Sequence, residues 1–256
     1  MDTLLALMAP HDFALMALGV LFAAVMRAFA GFGFALLAVP LFSLILTPGD
    51  TVVLATLLTL SVSALTYRVW WGRFKARDYY PMVVGSVLGS GIGVAFLAQL
   101  SREQFQLWIG LTVVAVCLLL ARFRPRESLG SPMLAGSSGL CSGLMNGAFA
   151  IPGPPAIVYA MACISDPAHS RTFLMAFFAA SNVISLVMFS MAGLVTPTPF
   201  YLSIISIPVL LAGERLGSWL FHRVGGSAYR PIALLVSLSV GLAITLQALI
   251  GIGSTA

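Results

Sequence analysis

The chain is built from apolar runs of about 20 residues separated by short polar breaks, the length needed to cross a hydrocarbon core about 30 Å thick. Residues 51–71, 80–100, 104–121, 170–194, 199–222 and 229–252 each predict an ordinary transmembrane span. Inside a bilayer the backbone must satisfy its own hydrogen bonds, so these spans are expected to be helices. A membrane β-barrel would instead alternate apolar and polar residues in segments of about ten, and these runs do not. Two further stretches, residues 12–46 and 133–165, stay apolar for more than 30 residues. A continuous helix of that length would run about 50 Å, well beyond the bilayer. Each must therefore break. The first is interrupted at Gly31-Phe32-Gly33, with Pro40 beyond; the second is interrupted from Asn146-Gly147 through Pro152-Gly153-Pro154-Pro155. There, three prolines remove backbone donors and bar a regular helix.

Composition agrees with this pattern: 60% of residues are hydrophobic and 8% charged, against the roughly 25% charged of soluble domains. The net charge of +5 comes from short clusters beside the apolar segments, which is a topogenic pattern and not a nucleic-acid footprint. Arg68, Arg73, Lys75 and Arg77 assign their loop to the cytoplasm, as do Arg122, Arg124 and Arg126, and Arg223 with Arg230. The loops near 102 and 197 lack such an excess and fit outside. With one span between the loops near 125 and 197, residues 133–165 must enter and leave on one side. The same count makes 12–46 a hairpin that begins and ends outside, with both termini outside. The N-terminus has no cationic n-region, and its apolar stretch is too long for a signal peptide; it is expected to be retained.

The expected fold is therefore all-α and membrane-integral, an inverted repeat of residues 1–129 and 130–256, each a broken-helix hairpin plus three spans. An offset of 119 pairs Leu21 with Leu140, Met26 with Met145, Arg27 with Asn146 and Pro48 with Pro167. An offset of 124 pairs Gly89 with Gly213 and Gly93 with Gly217. Inverted repeats with discontinuous helices are the usual plan of secondary transporters, with the solute held near the midplane where the breaks meet.

Arg27 is the most informative single residue. It lies 15 positions beyond Asp12, about 22 Å along its helix arm, and an intramembrane Arg usually faces a cavity or a partner. Its repeat mate Asn146 offers a donor and an acceptor. After each break a helix restarts, so unpaired N–H groups and a positive dipole end point into the gap. Gly31, Gly33, Gly147 and Gly153 allow close backbone approach. Helix N-termini plus a guanidinium make an anion site. Asn182 and its mate Ser63 are candidates to line the pathway. Gly85, Gly89 and Gly93, like Gly213 and Gly217, have the spacing that packs helices. Glu214 is the candidate proton site. The remaining interior is poor in titratable groups, which predicts that the membrane potential, worth about 2.3 kcal/mol per charge per 100 mV, drives efflux alone.

Cys117, Cys141 and Cys163 have neither metal nor redox spacing and read as buried small hydrophobes. His11, His169 and His222 fall at segment ends. No nucleophile, base and acid combine at depth, so an enzyme is not expected, nor is a metal or other cofactor. The partners expected are a small anion and the lipid bilayer.

The hairpins also carry a resemblance. Residues 142–159, Ser-Gly-Leu-Met-Asn-Gly-Ala-Phe-Ala-Ile-Pro-Gly-Pro-Pro-Ala-Ile-Val-Tyr, resemble the Gly-rich hairpin of the TauE/SafE family of sulfite and sulfonate exporters and toluene-sulfonate uptake permeases. Gly31 to Pro40 resembles its first-half counterpart. Pro152 and Phe34 stand where further glycines are common. The resemblance implies a bacterial inner-membrane transporter, an exporter of a small sulfur-containing anion such as sulfite or an organosulfonate. The alternatives are a carrier of a carboxylate or a metal cation, and a membrane scaffold without transport. A cation site would call for carboxylates, whereas the deepest ionisable residue here is Arg27.

Overall fold

The helix boundaries follow from prolines and capping residues in the polar breaks. In the computed structural model, residues 10–30, 33–71, 79–122, 131–224 and 229–254 are described. Gly31 and the loop cations Arg73, Lys75, Arg77, Arg124 and Arg126 lie outside the described residues. Every regular element among the described residues is helical: α1 (Pro10–Ala30), α2 (Phe34–Ser43), α3 (Pro48–Leu65), α4 (Tyr67–Trp70), α5 (Tyr80–Leu97), α6 (Arg102–Arg122), α7 (Pro132–Phe149), α8 (Gly153–Cys163), α9 (Pro167–Met191), α10 (Pro197–Val224) and α11 (Tyr229–Ser254). Six of these helices are long and apolar enough to cross a membrane: α3, α5, α6, α9 and α10, each at a predicted span, and α1, predicted as a hairpin arm; of the predicted span 229–252, residues 234–250 form a shorter apolar stretch.

Helix starts carry the expected chemistry. Ser131 accepts from the Leu134 amide at 3.1 Å to cap α7. Asp166 accepts from Ala168 and His169 at 3.1 Å each to cap α9. The Thr47 hydroxyl accepts from the Asp50 amide at 3.2 Å ahead of α3. Each such cap satisfies amides that have no partner within the helix.

The chain divides into two compact units. One comprises Met1–Leu58, Leu100–Ala121 and Thr196–Ala256; the other comprises Thr59–Gln99 and Arg122–Val195.

In the first unit the long apolar stretch does break and fold back. Gly33 has φ 94° and opens α2, which returns along α1 so that a Cβ on Gly19 would stand 3.6 Å from Leu41 and Phe42. At ten residues, α2 is about 15 Å long, half a membrane thickness, and nearly all of it is buried. Its last carbonyls are met by α6: Gln106 donates to Ser43 O at 2.8 Å, and Arg102 donates to Leu44 O. Helix α10 packs on α1 through Gly213 and Gly217, where an added Cβ would crowd Ala24 (2.6 Å) and Ala28 (2.8 Å).

In the second unit the most extensive helix pair is α5 with α7. Gly85, Gly89 and Gly93 face the backbone of Gly136, Leu140 and Leu144, while Gly139, Gly143 and Gly147 face the backbone of Met82, Ser86 and Ser90. Small residues every four positions on both helices remove the side chains that would hold the backbones apart. The glycine spacing on α5 was legible as packing; its partner on α7 was not. The break between α7 and α8 turns on Ala150, a non-glycine residue in the left-handed region at φ 56°. Its N–H meets Asn146 O at 2.8 Å, and that of Ile151 meets Met145 O at 3.3 Å. At the far end, Met82, Ala135, Ala156, Tyr159, Ala160, Phe173 and Phe177 form an apolar cluster.

Large apolar side chains also cover the outer faces: Leu88 and Ile92 on α5, Leu111 and Leu118 on α6, Val183 and Val187 on α9, Leu246 and Leu249 on α11. That surface suits lipid. Cys117 is buried as expected, but Cys141 is exposed and Cys163 half-buried. Cys141 stands on the outer face of α7 beside the exposed Leu140, where an apolar thiol meets lipid instead of a protein core.

Candidate functional site

The charge that the sequence places deepest has a partner in the first unit. Arg27, in the last turn of α1, donates from Nη1 to Glu214 Oε1 at 2.7 Å. The two side chains are 17% and 22% exposed, so the pair is shielded yet reachable. Both residues belong to helices that qualify as membrane spans. The contact depends on the close approach of α10 to α1. Gly213 immediately precedes Glu214, and Gly217 follows three residues later; both lack the side chain that would push the helices apart. Two features read separately in the sequence, a packing pair of glycines and a lone acid, are one device. Arg215, the next residue, is exposed, and Arg223 lies over the Trp219 ring at 4.5 Å. Neither is the cation that holds Glu214.

Gly33, five residues beyond Ala28 on the same chain, is half-buried. Among the described residues no side chain caps it, and an added Cβ would find only Leu36 Cβ, at 4.0 Å. Its left-handed φ requires glycine more than any crowding does. The start of α2 therefore presents first-turn amides without a side-chain cap, in the unit that also holds Arg27.

The second unit carries an uncharged polar locus. Asn146 is fully buried and donates from Nδ2 to Ser181 O and to Ser181 Oγ, at 2.9 Å each. Ser181 Oγ meets Ser86 Oγ at 3.2 Å, and one turn on Ser185 Oγ meets Ser90 Oγ at 3.4 Å. Asn182, also fully buried, donates to Phe178 O at 2.7 Å. The carbonyl oxygens Oδ1 of Asn146 and of Asn182 have no hydrogen-bond partner among the described residues. An unmet buried acceptor costs about 1–3 kcal/mol, so each invites a donor.

The glycines of this unit differ. Gly147 packs on Ser90, which accounts for the absence of a side chain. Gly153 makes only ordinary contacts, 3.6 Å to Ile157 and 3.8 Å to Phe178, so packing does not demand it. Ser142 donates to Pro152 O across the break. Ser63 is committed locally, donating to Thr59 O at 3.0 Å. His11 pairs with Asp12 at 3.3 Å, and His169 Nε2 lies 2.9 Å from Tyr79 Oη, both at segment ends as expected. Side-chain surroundings of His222 lie outside the described residues.

Sequence reasoning missed Ser86, Ser90, Ser181 and Ser185. The available signal is the four-residue spacing of serines on both helices, in register with Gly85 and Gly89. It also missed Thr51, Thr56 and Ser206, whose buried hydroxyls in the first unit have no partner among the described residues; single hydroxyl residues in an apolar run carry no periodic signal.

A search of curated proteins and of solved structures finds no match. A family model described as "Sulfite exporter TauE/SafE" matches residues 15–244. That range takes in both helix breaks, the Arg27–Glu214 pair and the Asn146–Ser181 locus. With an all-helical architecture, spans of membrane length and a match over most of its residues, this chain belongs to the TauE/SafE family of membrane transporters.

Proposed function

We propose that the protein is a secondary transporter that exports a small sulfur-containing anion, sulfite or an organosulfonate, across a bacterial inner membrane, with Arg27 as its anion contact. The observation that carries this reading is a guanidinium inside a membrane span that, among the described residues, commits one of its five N–H donors to a carboxylate. An Arg there is costly, about 2.5–3.5 kcal/mol on insertion scales, and a planar fork matches an oxyanion two donors at a time. Gly33 opens a half-length helix close to it in sequence. In the second unit Asn146 and Asn182, whose carbonyl oxygens find no partner among the described residues, form an uncharged polar locus near Gly147 and Gly153. Metal-cation transport gains no support from a locus whose one carboxylate, Glu214, is already paired with Arg27.

The sequential halves are proposed to be inverted repeats, with both termini outside. Element order supports this: α1/α2 then α3, α5 and α6, followed by α7/α8 then α9, α10 and α11. So do the glycine contacts. Gly89 meets Leu140 and Gly93 meets Leu144, while their counterparts Gly213 and Gly217 meet Leu21 and Val25. The contacted residues are themselves pairs under the 119 offset.

The test is ligand-dependent thermal stabilisation of the purified protein by sulfite, sulfate, methanesulfonate and acetate. A ligand that binds only the folded state raises the midpoint with concentration. Sulfite or methanesulfonate should stabilise the wild type and not Arg27→Ala. Stabilisation by acetate alone, or equal stabilisation of Arg27→Ala, would overturn the reading.

A further inference from the structure

Arg27 is not an empty anion receptor. Its Nη1 already holds a carboxylate, Glu214 Oε1, at 2.7 Å. Resting on the reading of Arg27 as the anion contact, we infer that Glu214 is a built-in competitor that the transported anion replaces, and that replacement is accompanied by proton uptake on Glu214.

The argument is one of charge. The pair is neutral as it stands. If an anion joined Arg27 while Glu214 stayed ionised, the locus would hold two negative charges against one positive. At hydrogen-bond spacings and in a shielded setting, such like charges repel strongly. Water does not dissipate this, because the two side chains are largely covered. Nor, among the described residues, does another cation. The described side chains of α2 and of residues 234–250 on α11 include no titratable group, and Arg215 on α10 is exposed. Asp12 and His11 are 15 and 16 residues away on α1, about 22 Å or more along the helix axis. Arg27 and Glu214 are thus the charged groups that settle the balance.

Neutrality is restored when Glu214 takes a proton. One anion and one proton enter from the same solution, and the proton goes to a Glu214 carboxylate oxygen. The Arg27 Nη1–H then leaves Glu214 and donates to the anion. On release the anion departs, the proton returns to water and the ion pair reforms. The loaded and empty forms have equal charge, so the loaded form gains nothing from the membrane potential. The pH gradient enters the balance instead, favouring movement from the more acid side to the more alkaline one, so export draws on the anion's own gradient.

Isothermal titration of methanesulfonate into the wild type in nanodiscs, in buffers of differing ionisation heat, counts the protons. A sulfonate stays fully ionised, so every proton taken up belongs to the protein. The expected result is an uptake approaching one proton per anion at the higher pH, with affinity falling as pH rises. Glu214→Gln removes the competing charge, so it should bind without proton uptake, independently of pH, and roughly tenfold more tightly at the higher pH. Binding by the wild type with no proton uptake overturns the inference, as does a Glu214→Gln protein with unchanged affinity and pH dependence. That outcome leaves electrogenic uniport. Should Glu214→Gln fail to fold, the wild-type proton count decides by itself. Unchanged binding by Arg27→Ala is a different failure: it removes Arg27 as the anion contact.

Discussion

Arg27 and Glu214 are 187 positions apart, and each is the kind of residue a membrane interior excludes unless it is matched. Replacing Arg27 by Lys keeps the charge and loses the fork; replacing it by Ala loses both and leaves Glu214 without a cation. Anion affinity should therefore fall about tenfold or more in Arg27→Ala, since a charge-assisted hydrogen bond contributes about 1.5–3 kcal/mol. Arg27→Lys should fall between it and the wild type in the same binding titration. Ala150 offers a test independent of binding. A non-glycine residue at φ 56° carries local strain of about 1–2 kcal/mol, which glycine relieves at some entropic cost. Ala150→Gly should therefore raise stability by up to about 1 kcal/mol in denaturant titration. A clear loss would mean that its methyl group packs more productively than its backbone suffers.

At the scale of helices, the α5 and α7 glycines make a sharper forecast. A Cβ on Gly89 or Gly143 would overlap a backbone carbonyl of the facing helix, whereas one on Gly91 meets nothing within 4 Å. Gly143→Ala should destabilise by about 1–3 kcal/mol, the range for overpacking. Gly91→Ala should be neutral or stabilise by up to about 1 kcal/mol, because Ala is the better helix former. Equal effects of the two substitutions on the unfolding midpoint would contradict the seam.

These elements also show what a sequence can disclose. Five of the six span positions, the two breaks and the packing role of Gly85, Gly89 and Gly93 were legible because each rests on local spacing or on backbone chemistry. The pairing of Gly89 with Leu140, and of Glu214 with Arg27, was not, because nothing local in an apolar helix says which neighbour its glycines admit. The serines of the Asn146 locus were overlooked for a related reason: a hydroxyl in a helix can always satisfy itself on its own backbone, as Ser63 does.

For the whole molecule, the topology proposed from the loop cations places both termini outside. In a variant whose three cysteines are replaced, single cysteines at positions 2 and 255 should react with an impermeant maleimide in intact cells. Protection of either would break the parity on which the inverted arrangement rests. The central claim is that a sulfur oxyanion crosses the membrane by way of Arg27. The most direct measurement is flux of radiolabelled sulfite from preloaded proteoliposomes, comparing wild type with Arg27→Ala at equal reconstituted amounts. The account predicts saturable sulfite efflux by the wild type, competed by methanesulfonate and not by acetate, and near-background efflux from Arg27→Ala. Wild-type flux no faster than from empty liposomes, or undiminished efflux with Arg27 replaced, would contradict it.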